Sequence, residues 1–202
     1  MKLYYSPAAC SLAPHIALIE AGMTFDAILA STKTHKLADG TDFYTINPLG
    51  YVPVLVLDDG TRLTEGAAIL QYIADLAPAA KLAPANGTIE RYKLQSLLHF
   101  ISTEILKNFA PLFKPGMPLE AQQMAKDSLA GRFKWIDGEL AGKQYLMGDQ
   151  FTVADGYLFN VTNWAAFVKV DISPYANINA LRARVAARPA VQQAMKAEGL
   201  IK

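Results

Sequence analysis

The chain has 202 residues, 52% hydrophobic and 18% charged, with a net charge of +1. That balance excludes a disordered chain, gives no field to draw nucleic acid, and leaves room for one large domain or two small ones. A single cysteine excludes an internal disulfide and a multi-cysteine metal site, and no apolar run approaches the roughly 18 residues of a membrane span.

Lys2 to Tyr5 reads as a short strand broken by Ser6-Pro7-Ala8-Ala9. Cys10-Ser11 then leads into a helix patterned by Leu12, His15, Ile16, Leu18 and Ile19, with Ser11 as its expected cap. Pro14 is tolerated in the first turn and Ala21-Gly22 ends the helix. Phe25 to Leu29 is the second strand, so the first 30 residues form a βαβ unit with parallel strands. Cys10 therefore stands at a helix N-terminus, where free N–H groups and the dipole favour a thiolate that could act as nucleophile or redox centre. A small buried hydrophobe is the other reading of a lone cysteine. Without a Cys-x-x-Cys pair, a dithiol mechanism is excluded.

Ser31 to Ile46 is polar and weakly periodic, which suits an irregular helix ending at Asn47-Pro48. Val54 to Leu57 is an apolar run, Asp58-Asp59-Gly60 a hairpin turn, and Thr61 to Leu63 the return strand. Thr64 is the expected N-cap of a helix carried by Ala68, Ile69, Tyr72 and Ile73. Two features could make this a binding site. Pro53 cannot supply a ladder donor, so a ligand backbone could pair at Val52. Glu65-Gly66 opens the helix, so free N–H groups could hold a carboxylate while the Glu65 side chain holds an ammonium. A hairpin packed on a helix with an incidental proline accounts for the same residues.

Residues 79–87 have the composition of a linker between a domain at 1–78 and another at 88–202. No strand is expected beyond Thr88. Ile89 to Phe109 and Leu119 to Leu140 read as two long antiparallel helices, punctuated by Pro111, Pro115 and Pro118, in a helical bundle. Thr152-Val-Ala-Asp155 is a capping signature for a buried helix with Val153, Tyr157, Leu158, Val161 and Trp164. Leu181 to Ala187 and Val191 to Ala197 close the chain as short helices.

Tyr51-Val52-Pro53 followed by Leu63-Thr64-Glu65-Gly66, taken with Cys10, resembles the glutathione-binding half of a cytosolic glutathione S-transferase, and most of all the bacterial beta class. The similarity runs from Met1 to Glu198-Gly199-Leu200. It implies an α/β thioredoxin-like N-terminal domain (βαβ–ββα, a mixed four-stranded sheet) and an all-α C-terminal bundle, assembled as a homodimer. It also implies that Cys10 faces the sulfur of glutathione, with Ser11 as a possible hydroxyl donor to that sulfur. Val52, before a cis Pro53 and after Tyr51, would pair with the cysteinyl backbone, and Glu65 and Gly66 would hold the γ-glutamyl head. The glycyl carboxylate usually meets a lysine where this chain has His35, with Lys36 beside it; both also read as surface residues. If His35 makes the contact, affinity should weaken as rising pH removes its charge.

Thr103 and Glu104 match family positions that touch glutathione, Glu104 from the partner subunit. His99 lies one turn earlier, where it could replace an asparagine contact or sit as a half-buried helix histidine. Leu106 occupies a position where the beta class usually has a histidine, which makes the pocket more apolar and puts acid–base catalysis there in doubt. Lys107 points about 100° away on an α-helix. Tyr5, which other classes place near the thiolate, is expected to pack at the strand end. The expectation is a cytoplasmic transferase that needs glutathione as co-substrate and no metal, and conjugates it to small hydrophobic electrophiles in detoxification. Neither a membrane nor nucleic acid is an expected partner. A glutathione-dependent redox enzyme working through a Cys10 mixed disulfide is one rival, and a non-catalytic binder of apolar ligands is another.

Overall fold

The first strand stands inside the sheet, with buried side chains on both faces. In a computed structural model that describes all of residues 1–202, β1 (Lys2–Tyr5) pairs in parallel with β2 (Asp26–Leu29). β1 also pairs antiparallel with β3 (Val54–Val56), which pairs with β4 (Arg62–Leu63), giving the order β2-β1-β3-β4. Tyr4 lies opposite Val54 and Leu3 opposite Leu55. Tyr4 and Val54 thus share one face, buried with Ala30, Phe43 and Val52, while Leu3 and Leu55 are fully buried on the other. This is the mixed four-stranded sheet expected from the sequence, with α1 (Leu12–Glu20) and α2 (Gly66–Leu76) packed on each other.

Several local expectations need correction. The 31–46 segment forms no helix beyond a single 3₁₀ turn at Phe43–Thr45, capped by Asp42 accepting the Tyr44 N–H. It is a loop closed by the bridges Ala30 to Leu37 and Lys36 to Asp42. The cap position of α2 belongs to Glu65, not Thr64, in a left-handed backbone with φ of 64°. Ser11 holds the N-cap position of α1 but makes no capping bond; its hydroxyl turns back to accept the Ser6 N–H at 3.1 Å and donate to the Ser6 carbonyl at 3.2 Å.

The chain forms two compact units, Met1–Leu82 with Arg188–Lys202, and Ala83–Ala187. The break after Leu82 falls inside the stretch read as a linker. The last helix, α8 (Pro189–Ala197), therefore belongs with the sheet and not with the C-terminal bundle expected from the sequence; it packs on α1. Arg188 at its start donates to both carboxylate oxygens of Glu20, at 2.6 and 2.8 Å.

The second unit contains α3 (Ile89–Phe100), α4 (Lys107–Phe113), α5 (Leu119–Glu139), α6 (Val153–Phe167) and α7 (Ala176–Ala186). Thr88 caps α3 by accepting the Arg91 N–H. The helix expected over 89–109 is not uniform, because Ile101–Leu106 is π-helical and α4 continues it through Pro111. Phe109, fully buried, lies 6.2 Å from Phe133 and 5.8 Å from Trp164, ring to ring, and marks the centre of this core. α7 begins at Ala176, five residues before the Leu181 start expected from the sequence, because Ile178 extends the buried stripe by one turn and Asp137 accepts the Ile178 N–H. No helix is long and apolar enough to cross a membrane.

Candidate functional site

Cys10 ends a tight turn that follows β1 and precedes α1. Its thiol, half-buried, donates to the Val52 carbonyl at 3.1 Å. Val52 is buried and joined to Pro53 by a cis peptide bond, just before β3 begins. The two residues that the sequence singled out for nucleophile and backbone pairing are therefore in direct contact. Tyr51 is exposed, and its carbonyl accepts from the Asn47 side chain at 2.7 Å. Asn47 also accepts the Leu49 N–H and is buried, so it shapes the turn that delivers Val52. In the sequence Asn47-Pro48 shows only as a break, because the Asn47 bonds that shape the turn leave no periodic mark.

β3 leads through the hairpin to Glu65, whose side chain is exposed while its carbonyl accepts the Ala68 and Ile69 N–H groups at 3.0 Å. The Gly66 and Ala67 N–H groups then stand outside the ladder of α2. Glu65 is one of the non-glycine residues with positive φ, a conformation that carries strain of order 1–3 kcal/mol and is frequent at ligand sites. An anionic head group at these amides, with its ammonium on Glu65, is what such a helix start can hold.

His35 also has a positive φ, of 52°. Its ring stacks on Tyr44 with centroids 4.6 Å apart, and its Nδ1 is buried without a partner. Only Nε2 is left for a ligand, and a neutral ring without an acceptor at Nδ1 suits the tautomer protonated at Nε2. Lys36 is exposed, with its carbonyl accepting the Ser31 N–H. Gly50 makes the stack possible: a Cβ there would lie 2.7 Å from Tyr44 Cε1 and 2.8 Å from His35 Nδ1, at a φ of +69°. Gly50→Ala is expected to cost about 1–2 kcal/mol from the left-handed backbone alone and to displace the His35 ring. Urea unfolding and the His35 ring proton shifts check both; unchanged shifts would show that the stack does not need the glycine.

Tyr5 packs its ring 5.6 Å from that of His15. Burial, with the Glu198 carboxylate as a smaller cause, raises its phenol above the ordinary value, so Tyr5 stays protonated. The neighbouring pair was not foreseen. His15, on α1, meets Glu198 through Nδ1 at 2.9 Å, and the second Glu198 oxygen accepts the Ala8 N–H at 3.1 Å in the turn that carries Cys10. In the sequence His15 looks like one more apolar-face residue and Glu198 like the end of a surface helix; no short-range pattern joins residues 183 apart.

In the second unit, His99 is exposed, not half-buried, and its Nδ1 donates to the Gln95 carbonyl at 2.7 Å. The Ser102 and Thr103 hydroxyls both donate to the His99 carbonyl at 3.0 Å, and Asn108 donates to that of Glu104 at 2.6 Å. These bonds occupy carbonyls along the π-helical turn and the residues before it. A π-type insertion shifts the face that later residues present by about 100°, so the α-helical spacing used for Leu106 and Lys107 does not hold across it. Glu104 Oε2 is held by Arg132 of α5 at 2.8 Å. Both side chains are about two-fifths exposed, so the pair contributes at most about 1 kcal/mol.

A family model described as the glutathione S-transferase N-terminal domain matches residues 8–76, and one described as the C-terminal domain matches residues 100–189. The chain belongs to the glutathione S-transferase family. Glutathione S-transferase GstA of Escherichia coli is 43% identical over 200 residues, covering 99% of this chain and all of that protein. A sphingomonad glutathione S-transferase complexed with glutathione is 48% identical with a TM-score of 0.95, and a beta-class transferase of Sphingomonas chungbukensis is 50% identical with a TM-score of 0.96. Both cover the whole of this chain and are themselves wholly covered. These labels place this transferase in the bacterial beta class. The similarity also extends to BphK, a bacterial transferase solved as a ternary complex, at 52% identity and a TM-score of 0.97 over 99% of this chain and all of that one.

Proposed function

We propose that this transferase binds glutathione along the Cys10, Val52 and Glu65 edge of its sheet unit, and conjugates its thiolate to small hydrophobic electrophiles. The contact between the Cys10 thiol and the Val52 carbonyl carries the reading. It sets a sulfur beside the backbone where a cysteinyl residue would pair, so the ligand sulfur would arrive next to Cys10 and the start of α1. Tyr51 and the cis Pro53 frame that pairing. Glu65 and the Gly66 N–H take the γ-glutamyl head, and His35 through Nε2, or Lys36, takes the glycyl carboxylate. Ser11 serves by shaping the Cys10 turn, since its hydroxyl is committed to Ser6. On the helical unit, the Thr103 hydroxyl is committed to the His99 carbonyl, and Glu104 keeps one oxygen that Arg132 leaves open. A site of this kind holds an anionic thiolate with helix-end amides, which is most of what addition to an electrophile requires.

Ile89, Tyr92 and Trp135 of the helical unit are 63%, 58% and 47% exposed, apolar surface of the kind a homodimer covers. A detoxifying role in the cytoplasm fits a free thiol kept reduced.

The direct contact at Val52 also favours a second reading, in which the Cys10 thiolate attacks oxidised glutathione. One S–S bond forms as the other breaks, leaving a protein–glutathione mixed disulfide and releasing a glutathione thiolate. Native and denaturing mass spectrometry after incubation with oxidised glutathione, beside Cys10→Ser and a conjugation assay with an aromatic electrophile, separate the readings. Conjugation in both proteins, with a covalent adduct on the parent alone, is the expected result, and the native spectrum should show a dimer. Conjugation lost in Cys10→Ser would move the chemistry to the covalent route. No conjugation and no glutathione affinity in either protein would end the transferase reading.

A further inference from the structure

Beside the end of α6 and the start of α7 the helical unit has a cleft of about 470 Å³, a size usual for small-molecule sites. Ala165, Val170 and Ile172 give it apolar walls, and Arg182, Asn179, Asp171 and Ser173 are its polar lining. Arg182 is partly buried and has no carboxylate partner. Its Nη2 donates to Asn163 Oδ1 at 2.9 Å and its Nη1 to Asn179 Oδ1 at 3.3 Å, while its buried Nε has no partner. Asn179 is fixed in this orientation, because its Nδ2 donates to the Ile172 and Tyr175 carbonyls at 2.8 and 2.9 Å. The guanidinium is therefore neighboured by neutral amide oxygens that use two of its five donors and leave its charge unbalanced. Burial accordingly pushes its pKa below the usual arginine value. Asp171 does not supply the counter-charge. It is exposed and accepts the N–H of Ser173 at 2.8 Å in its own turn.

We propose that this cleft binds a small organic carboxylate, with its anionic end on Arg182 and a compact apolar body against Ala165, Val170 and Ile172. A carboxylate supplies the planar acceptor pair that a guanidinium fork fits, and it replaces amide contacts with charge-assisted ones. The site shares no residue with the glutathione contacts and does not depend on them.

The probe is benzoate, with benzyl alcohol as the uncharged control, followed by backbone NMR shifts of the full chain. Benzoate should shift signals within 165–182 where benzyl alcohol does not, and saturating glutathione should leave its affinity unchanged. Arg182→Gln should weaken benzoate binding by about tenfold or more. Val170→Trp, which keeps Arg182 and fills the cleft, should abolish it even if the arginine variant folds poorly. Equal shifts from benzyl alcohol, displacement by glutathione, or parent-like benzoate binding in both variants would overturn the proposal.

Discussion

Asp155→Ala is expected to cost about 3–5 kcal/mol of folding stability. Asp155 is fully buried in the first turn of α6. Its Oδ1 accepts the Leu146 N–H at 2.7 Å, and its Oδ2 accepts the Thr152 N–H at 2.8 Å and the Thr152 hydroxyl at 2.9 Å. Alanine would leave two buried backbone N–H groups unpaired, at about 1–3 kcal/mol each. It would also remove the acidic group that the helix dipole favours there.

The same carboxylate gives a pH signature. Burial pushes its pKa up to about 6, against the pull of the three donors, while in the unfolded chain it is near 3.9. Between those values the folded state binds the extra proton, so this group's contribution is complete below about pH 4 and is lost as pH rises through about 6. Asp155→Asn removes that slope. It also leaves one donor facing an amide NH₂, so its stability should lie between those of the parent and the alanine variant. Urea unfolding from acid to neutral pH checks both, read as the difference between parent and Asp155→Asn. An alanine variant within 1 kcal/mol of the parent, or an asparagine variant with the same slope, would show that the cap does not hold α6.

The capping signature was legible because Thr152 and Asp155 are three residues apart and their chemistry is local. The same holds for the sheet: the break at Ser6-Pro7 after Lys2–Tyr5, the Asp58-Asp59-Gly60 turn and the Val54 run determine their elements without help from distant residues. Legibility ends where partners are distant or where backbone geometry departs from the periodic. The loop at 31–46 is held by Phe43, whose burial among Tyr4, Ala30 and Val54 is tertiary, and its polar residues carry no helical stripe to compete. The π-helical turn at Ile101–Leu106 keeps apolar residues at plausible α spacing, and its stabilising bonds come from Ser102, Thr103 and Asn108, which also suit an exposed helix face. Cys10, Val52 and Glu65 could be singled out because proline, glycine and a helix start each leave a local mark. The bond between Cys10 and Val52 spans 42 positions and leaves none.

Glu198→Ala is expected to lower both stability and Cys10 reactivity, and the two effects have separable causes. The Glu198 side chain is fully buried, bonded at one oxygen to His15 and at the other to the Ala8 N–H. Removing one member of a buried pair costs about 3–5 kcal/mol, because the remaining group stays in the interior without its partner. Ala8 has a φ of 61°, a conformation that a non-glycine residue keeps only where its surroundings hold it. Glu198 therefore supports the turn from Ser6 to Cys10 from one side, while the Ser11 hydroxyl pins Ser6 from the other. Without that support the turn can relax, moving the thiol from the Val52 carbonyl. Mixed-disulfide formation with oxidised glutathione should slow about tenfold, which corresponds to about 1.4 kcal/mol. Arg188→Ala is the control, since it loosens α8 from Glu20 at the far end of α1 and leaves Glu198 in place. Loss of stability in both variants, with slowed Cys10 chemistry only in Glu198→Ala, assigns the carboxylate a positioning role. If the two variants lose stability alike and Cys10 reacts at the parent rate in both, Glu198 merely docks the last helix.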